Sequence, residues 1–429
     1  MNSAAWTCVG IIALLAAGCS GPGGSGGRAG RETTLRMWAM GREGEVVQEL
    51  VPEFERANPG IRVVVQQIPW SAAHEKLLTA HVGGSTPDLA QLGNTWVPEF
   101  AALRAIEPLG ARVTGSATLP ESSYSKGIWD TNVVDGELYG IPWYVDTRVL
   151  FYRKDLLARA GYDSIPGDWA GWKRSMQAVV RKAGGRYAIF LPTNEFTQAV
   201  IFGLQAGSTL LKDQDTHGAF SDSAFRAGFA FMMGLYEEDL APHYAAHEVA
   251  NLYQEFERGT FAMYITGPWN VGEFRRRLPE ALQDDWATAP MPGPTGPASG
   301  VSLAGGSSLV LFRGSKHKDE AWKLIEFLSQ PDVQARFYAL TGDLPARWEA
   351  WKDSALVHDV PTQAFRVQLE RVVATPKVPE YELIGTRLQE WSEKAIRGAM
   401  PADSALTALD RDVDRILEKR RWLLARAHQ

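Results

Sequence analysis

This sequence predicts an α/β chain folded as two domains or as one large bilobal unit, and three observations predict it. From Thr34 onward, short extended segments alternate with stretches of helical spacing, the pattern of a layered architecture built on a mostly parallel sheet. The alternation restarts in the middle of the chain, after a long extended stretch with a proline inside it. The chain has 429 residues, 45% of them hydrophobic, which is more than one core ordinarily organises.

Val9 to Ala16 is an apolar run too short for a membrane-spanning helix, which takes about 20 apolar residues, and of the right size for a signal-peptide core. Leu15-Ala16-Ala17-Gly18-Cys19 resembles a bacterial lipoprotein lipobox. That resemblance implies a signal peptide over 1–18 and a lipid on Cys19. It also implies an exported chain anchored to the cell membrane, facing the periplasm or the outside. The residues before the apolar run include no Lys or Arg. Cys8 falls in the removed part, so only Cys19 remains and neither a disulfide nor a cysteine metal site can form. Residues 19–31 have the Gly/Ser composition of a flexible linker. Gly21-x-Gly23-x-x-Gly26 and Gly23-x-Ser25-x-Gly27 match a dinucleotide fingerprint and a nucleophile elbow only formally, because no strand precedes them and no helix follows.

Thr34 to Trp38 alternates as a strand and Gly41 ends it; Val46, Val47, Leu50, Val51 and Phe54 then repeat at helical spacing until Asn58-Pro59-Gly60. Ile61 to Val65 reads as a second strand, His74 to His81 as a helix, and Pro87 to Leu92 as a third strand ending at Asn94-Thr95-Trp96. Ligand crevices in such sheets lie beyond the carboxyl ends of the strands, so Arg42-Glu43 and Asn94 to Trp96 share one rim. Tyr139 to Tyr152 is a long extended stretch suited to crossing between domains, and Phe261 to Ile265 is a strand running into Gly267-Pro268-Trp269. A Pro-stiffened passage from Ala289 to Pro294 precedes Gly305-Gly306 and the strand Ser307 to Leu311; Lys318 to Leu328, Val333 to Leu340 and the chain beyond Pro361 read as helices. Fifteen Trp is a high count; most, including Trp38, Trp143 and Trp322, are expected in the core. His243 and His247 are spaced for one helix face, but no third ligand is near and no metal is expected.

Gly140-Ile141-Pro142 through Phe151-Tyr152-Arg153-Lys154-Asp155-Leu156-Leu157, and Gly259-x-x-Ala262-Met263-x-x-x-Gly267-Pro268-Trp269, carry a family likeness. Pro87-Asp88, Gly305-Gly306-x-Ser308-Leu309-Val310 and Ala321-Trp322-x-Leu324-Ile325-x-Phe327-Leu328 support it in order and spacing. From about Leu35 to Leu417 the chain resembles the extracellular solute-binding proteins of carbohydrate ABC importers, the group of the maltose- and trehalose-binding proteins. The resemblance implies a two-lobe periplasmic-binding-protein fold of type II, each lobe a mostly parallel sheet flanked by helices, hinged by crossing strands. Lobe I would hold 32–143 and 292–341, and lobe II 144–291 and 342–429, with crossings near Pro142-Trp143 and Pro290 to Gly293.

It also implies ligand-binding residues. Sugar hydroxyls pair with carboxylates and planar polar groups, and sugar faces stack on aromatic rings. Asp146 stands where the family places a carboxylate at the lobe junction, with a salt bridge to Arg148 as its other reading. Trp269 matches the family's stacking ring. Arg42 and Glu43 sit on the first-strand loop, Asn94 and Trp96 at the third strand's end, and Asn194 and Glu195 where the second lobe reaches the ligand. Tyr144, Gly306 and Arg387 complete the set. The implied partners are a sugar, such as a di- or oligosaccharide, the permease subunits and the membrane, for a monomer without a cofactor. A net charge of -6 and a pI near 5.8, with no basic patch carrying interleaved aromatics, argue against nucleic acid. The rival reading is an exported glycoside hydrolase working with two acids, but no nucleophile with a recognisable base stands in the sequence.

Overall fold

The computed structural model describes residues 32–427. The signal segment, the linker and Cys19 lie outside them. Among the described residues no helix is long and apolar enough to cross a membrane.

The first lobe is built from β1 (Thr33–Met40), α1 (Gly41–Ala57), β2 (Ile61–Ile68), α2 (Trp70–Val82) and β3 (Leu89–Gly93). β1 lies between β2 and β3 and runs parallel to both. β4 (Ile141–Asp146) follows, and the chain then leaves for the second lobe with β5 (Val149–Arg153), β6 (Tyr187–Phe190), α3 (Thr197–Gln205), α4 (Ser223–Glu237), β7 (Phe261–Thr266), α5 (Trp269–Arg277) and β8 (Trp286–Ala289). It returns with β9 (Gly305–Leu311), α6 (Lys318–Leu328), α7 (Pro331–Thr341) and β10 (Leu344–Pro345). α8 (Val360–Leu369), α9 (Tyr381–Ile396), α10 (Ala402–Ile416) and α11 (Glu418–Ala427) close the chain.

The six-stranded sheet has the order β10-β4-β9-β3-β1-β2 and the four-stranded sheet the order β8-β5-β7-β6. The two-lobe α/β plan is the one the sequence implied, but both sheets are mixed. β9 is antiparallel to β3 and β4, β10 to β4, and β5 to β7 and β8. Parallel neighbours need a crossover within one lobe. Strands delivered by an excursion through the other lobe are free of that rule and enter antiparallel.

The switch between sheets falls at Thr147-Arg148, because Tyr144 to Asp146 still pair with β9 while Val149 already pairs with β7. The expected crossing at Pro142-Trp143 thus lies inside β4. The return occupies the stretch between Ala289 and Gly305, which contains Pro290 to Gly293. Leu344-Pro345 adds an edge strand to the first sheet beyond residue 341, and α8 then packs on the second lobe's β8 and β5.

β5 explains why that sheet needs cover on both sides. Leu150 points into the second lobe's helical core, while Val149 and Phe151 point into the opposite cluster with Trp286 and Phe365. Phe151 and Trp286 stack with centroids 5.9 Å apart, and Trp143 stacks on Phe337 of α7 at 4.5 Å. Trp38, Trp143 and Trp322 are buried, as core residues should be.

Helices α3 and α4 meet at Gly228, where an added Cβ would lie 2.2 Å from the Phe202 carbonyl oxygen. Gly228→Ala is expected to force the pair apart and lower stability by about 1–3 kcal/mol, read as the urea midpoint of unfolding at constant slope.

Candidate functional site

Four segments of the first sheet end on one edge: Met40 passes into α1, Gly93 into Asn94, β4 finishes at Asp146, and β9 begins at Gly305. Because β4, β3 and β1 run alike and β9 runs against them, these ends coincide at the junction with the second lobe. A cavity of about 440 Å³ lies there, within the size range of small-ligand sites.

Its floor is a hydrogen-bonded cluster around Tyr144. The Tyr144 hydroxyl donates to Glu43 Oε1 at 2.8 Å and accepts from Gln91 Nε2 and Ser307 Oγ, both at 2.9 Å. Gln91 is set by the Met40 N–H, which donates to its Oε1 at 2.8 Å. Burial pushes the Tyr144 hydroxyl well above its ordinary range and raises the Glu43 carboxyl, against the hydrogen bonds that Glu43 accepts. Asp343, in the turn between α7 and β10, faces the same space; burial, with the Glu43 charge beside it, pushes it up to about 8.

The wall toward the second lobe carries Asp146, Arg148 and Trp269. Arg148 Nη1 donates to Asp146 Oδ1, and its guanidinium lies 4.6 Å over the Trp269 ring. The ring remains 43% exposed, an indole face turned toward the cavity it lines. Burial raises the Asp146 carboxyl despite Arg148; it opposes the Arg148 charge too, yet Asp146 and Glu195 hold that charge above its ordinary value. Across the cavity Trp70 and Trp96 meet edge to face at 5.6 Å. Gly306 has φ +122, and a Cβ there would lie 2.3 Å from the Tyr144 carbonyl oxygen, so this part of the wall must be bare backbone. Thr95 Oγ1 donates to Glu382 Oε1 of α9, which joins the two sides over the cavity.

Seven of the residues singled out from sequence line this cavity: Glu43, Asn94, Trp96, Tyr144, Asp146, Trp269 and Gly306. Four do not. Arg42 is exposed and pairs with Glu45 at 3.1 Å, because one residue along a helix is a turn of about 100° and only Glu43 faces inward. Arg387 pairs with Glu390 at 2.6 Å; Tyr381 and Glu382 are the residues α9 turns to the cavity. Asn194 Oδ1 accepts the Ala246 N–H at 2.7 Å and Glu195 accepts from Gln198 at 3.2 Å. Glu195 stays close enough to act on the charges of Asp146 and Arg148.

Sequence reasoning passed over Trp70, Phe196, Asp343, Tyr381 and Glu382, all on the wall, placed Thr95 on the rim without a role, and gave Arg148 only as a partner of Asp146. Trp70 follows β2 at the same sheet edge, so the strand-end rule could have found it. Nothing local marks Asp343 or Glu382. Among the described residues no group of three or more His, Cys, Asp or Glu is placed to hold a metal ion.

Two lobes, a cleft at their strand ends, and rings and carboxylates facing each other across it define a protein that closes on a small polar ligand. Residues 39–335 match the bacterial extracellular solute-binding proteins, and the chain belongs to that family. It is 52% identical to the sugar-binding protein MalE of the phytopathogen Xanthomonas citri, whose solved structure aligns over 92% of this chain and 99% of its own with a TM-score of 0.89. A putative binding protein of Brucella abortus is 27% identical over 384 residues, 88% of this chain and 91% of its own length. The diacetylchitobiose binding protein DasA of Streptomyces coelicolor is 24% identical over 379 residues, 87% of each. Proteins of this family bind solutes and are not enzymes, so the hydrolase reading falls.

The acids of the floor make stability depend on pH. The folded-state value of Asp343 lies above its ordinary 3.8, so the folded chain holds that proton more tightly than the unfolded chain. The stability this contributes is complete below the ordinary value and is lost as pH rises through about 8. Unliganded protein should therefore melt lower at about pH 9 than at about pH 6, and Asp343→Asn should flatten that slope in a thermal scan across pH.

Proposed function

We propose that this chain captures a sugar, a di- or oligosaccharide, between its lobes and delivers it to the permease of an ABC transporter. The protein is exported and works as a monomer held at the cell membrane by a lipid on Cys19. The observation that carries the sugar reading is the pairing within one cavity of aromatic faces, Trp70, Trp96 and Trp269, with the hydroxyl-binding groups of Glu43, Asp146 and Arg148. Pyranose rings present apolar faces and a rim of hydroxyls, and such a wall answers both. The relatives point the same way: a sugar-binding protein in Xanthomonas citri, and a galactooligosaccharide-binding protein in Bacillus subtilis at 24% identity over 382 residues.

Binding would proceed without covalent change. Asp146 Oδ1 already accepts from Arg148 Nη1, which fixes the carboxylate in place for a ligand hydroxyl. Glu43 is fixed in the same way by Tyr144. Asn194, Glu195, Arg42 and Arg387 stand off the wall and would act, if the lobes shift on binding, only after rotating toward it. Ligand that touches both lobes favours the closed arrangement by the contacts it makes only there.

Thermal melting of residues 28–429 against mono-, di- and oligosaccharides tests this. A ligand at about 100 times Kd adds about 2.7 kcal/mol, so one sugar class should raise the melting temperature and be recovered unchanged. Trp269→Ala should weaken that sugar about 10- to 100-fold and leave the unliganded melting temperature within about 2 °C, since the ring is already half exposed. Absence of a shift with every sugar overturns the sugar reading.

A further inference from the structure

The pole of the first lobe opposite the cleft carries a second concavity, of about 500 Å³. It opens where β1 and β3 begin and β9 has ended, and it is lined by Arg36, Arg104, Arg313 and Lys316, with His81 and His317 beside them. Four positive charges thus gather in a chain whose formal charge is -6. The one carboxylate among them, Asp88, is committed to the fold: Oδ2 accepts the Arg36 N–H at 2.8 Å and Oδ1 the Ser315 hydroxyl at 2.6 Å. Arg36 and Arg313 each give an N–H to a carbonyl, of Thr86 and Ile106, at 2.6 and 2.9 Å. Among the described residues none of the four cations forms an ion pair. Like charges concentrated in a concavity repel each other and focus a positive field outward, which an anion would relieve.

Two further observations say which anion. Val82 and Leu103, next in the chain to His81 and Arg104, are 87% and 46% exposed, so apolar side chains flank the cations. And β1 begins at Thr33 on this same pole, with Thr34 on the rim. Only the fourteen residues Cys19 to Glu32 separate it from the proposed lipid, a contour of at most ~50 Å.

We propose that this pole docks on the anionic phospholipid headgroups of the membrane that holds the tether, with Arg36, Arg104, Arg313 and Lys316 on phosphate oxygens and Val82 and Leu103 among the headgroups. The inference rests on the lipid tether proposed above and not on the identity of the sugar. The cleft lies at the other ends of the same strands, so a docked receptor presents it away from the lipid, open to solute. It must leave this pose to offer its cargo to a permease.

Residues 32–427 contain both sheets and the helices packed on them, and the Xanthomonas citri relative aligns over 99% of its own chain, so residues 28–429 carry the whole fold. That chain, without lipid, would be sedimented with vesicles of phosphatidylcholine alone and of phosphatidylcholine with phosphatidylglycerol. Binding should require phosphatidylglycerol, weaken with salt, and fall about fivefold for each of Arg104→Gln and Lys316→Gln, about 25-fold for both. Equal binding by the double variant, or no binding to the anionic vesicles, overturns the proposal. Stabilisation by inorganic phosphate without vesicle binding also overturns it and leaves a free-anion site. The sugar-dependent melting shift, read on the same samples, should be unchanged in the variants; its absence throughout would count against the sugar reading alone. The mass of the membrane-extracted full chain reads the lipid on Cys19 separately, and an unmodified cysteine removes the tether argument.

Discussion

The Tyr144 hydroxyl is the point on which the cleft depends. A phenol has one hydrogen to donate and can accept two, and here every capacity is used, toward Glu43, Gln91 and Ser307. Those partners sit on α1, β3 and β9, so one buried oxygen ties together four segments that are far apart in the chain. Removing it would take from Glu43 Oε1 its donor at 2.8 Å and leave Gln91 Nε2 only Ser307 Oγ, at 3.2 Å, to donate to, in a buried place where a weakened hydrogen bond is costly. The same oxygen holds Glu43 against the cavity, and the packing of Gly306 over the Tyr144 carbonyl keeps β9 close enough for Ser307 to reach it. Fold and site share this cluster, and neither could be altered there alone.

The charges of the cleft follow from that sharing. Glu43, Asp146 and Asp343 line one cavity with a single guanidinium, Arg148, on its wall. Burial raises all three acids, and proximity of Glu43 to Asp343 raises the latter further. Here Asp146 is held by Arg148 and Glu43 by Tyr144, both fixed as acceptors. For hydroxyl recognition that is an advantage, because an acceptor already oriented loses little freedom when ligand arrives.

Much of this was legible in the sequence, and the exceptions have physical reasons. Thr34 to Trp38, Val46 to Phe54 and Ile61 to Val65 show clean periods of two and of 3.6, and β1, α1 and β2 stand where those periods place them. Strand ends at Gly41 and Asn94 pointed to the rim because backbone direction alone decides it. The sheet switch at Thr147-Arg148 coincides with the one polar run, Asp146-Thr147-Arg148, in the apolar stretch from Ile141 to Phe151, while Pro142, which drew the expected crossing earlier, is accommodated inside β4. Helix phase separated Glu43 from Arg42 and Glu382 from Arg387, a distinction of one or a few residues that periodicity resolves only once the axis of the helix is known. Asp343 and Glu382 arrive from the chain's last hundred residues, after two passages between lobes, and only the closed topology brings them to Gly41 and Asn94.

Strand direction then assigns the two poles of the first lobe their different chemistry. β1 and β3 finish in helix starts and turns whose side chains face the second lobe; Glu43, Trp70, Asn94 and Trp96 gather there. They begin at the opposite pole, beside the point where the chain enters the fold, and Arg36, Arg104, Arg313 and Lys316 gather there instead. An extended strand rises about 3.3 Å per residue, so the eight residues of β1 hold these regions ~26 Å apart. That separation exceeds the Debye length of about 8 Å at physiological ionic strength, and exposed charges at one pole are screened from the other. The acidic cleft and the basic pole can therefore coexist in one small lobe without cancelling, each free to meet a partner of its own.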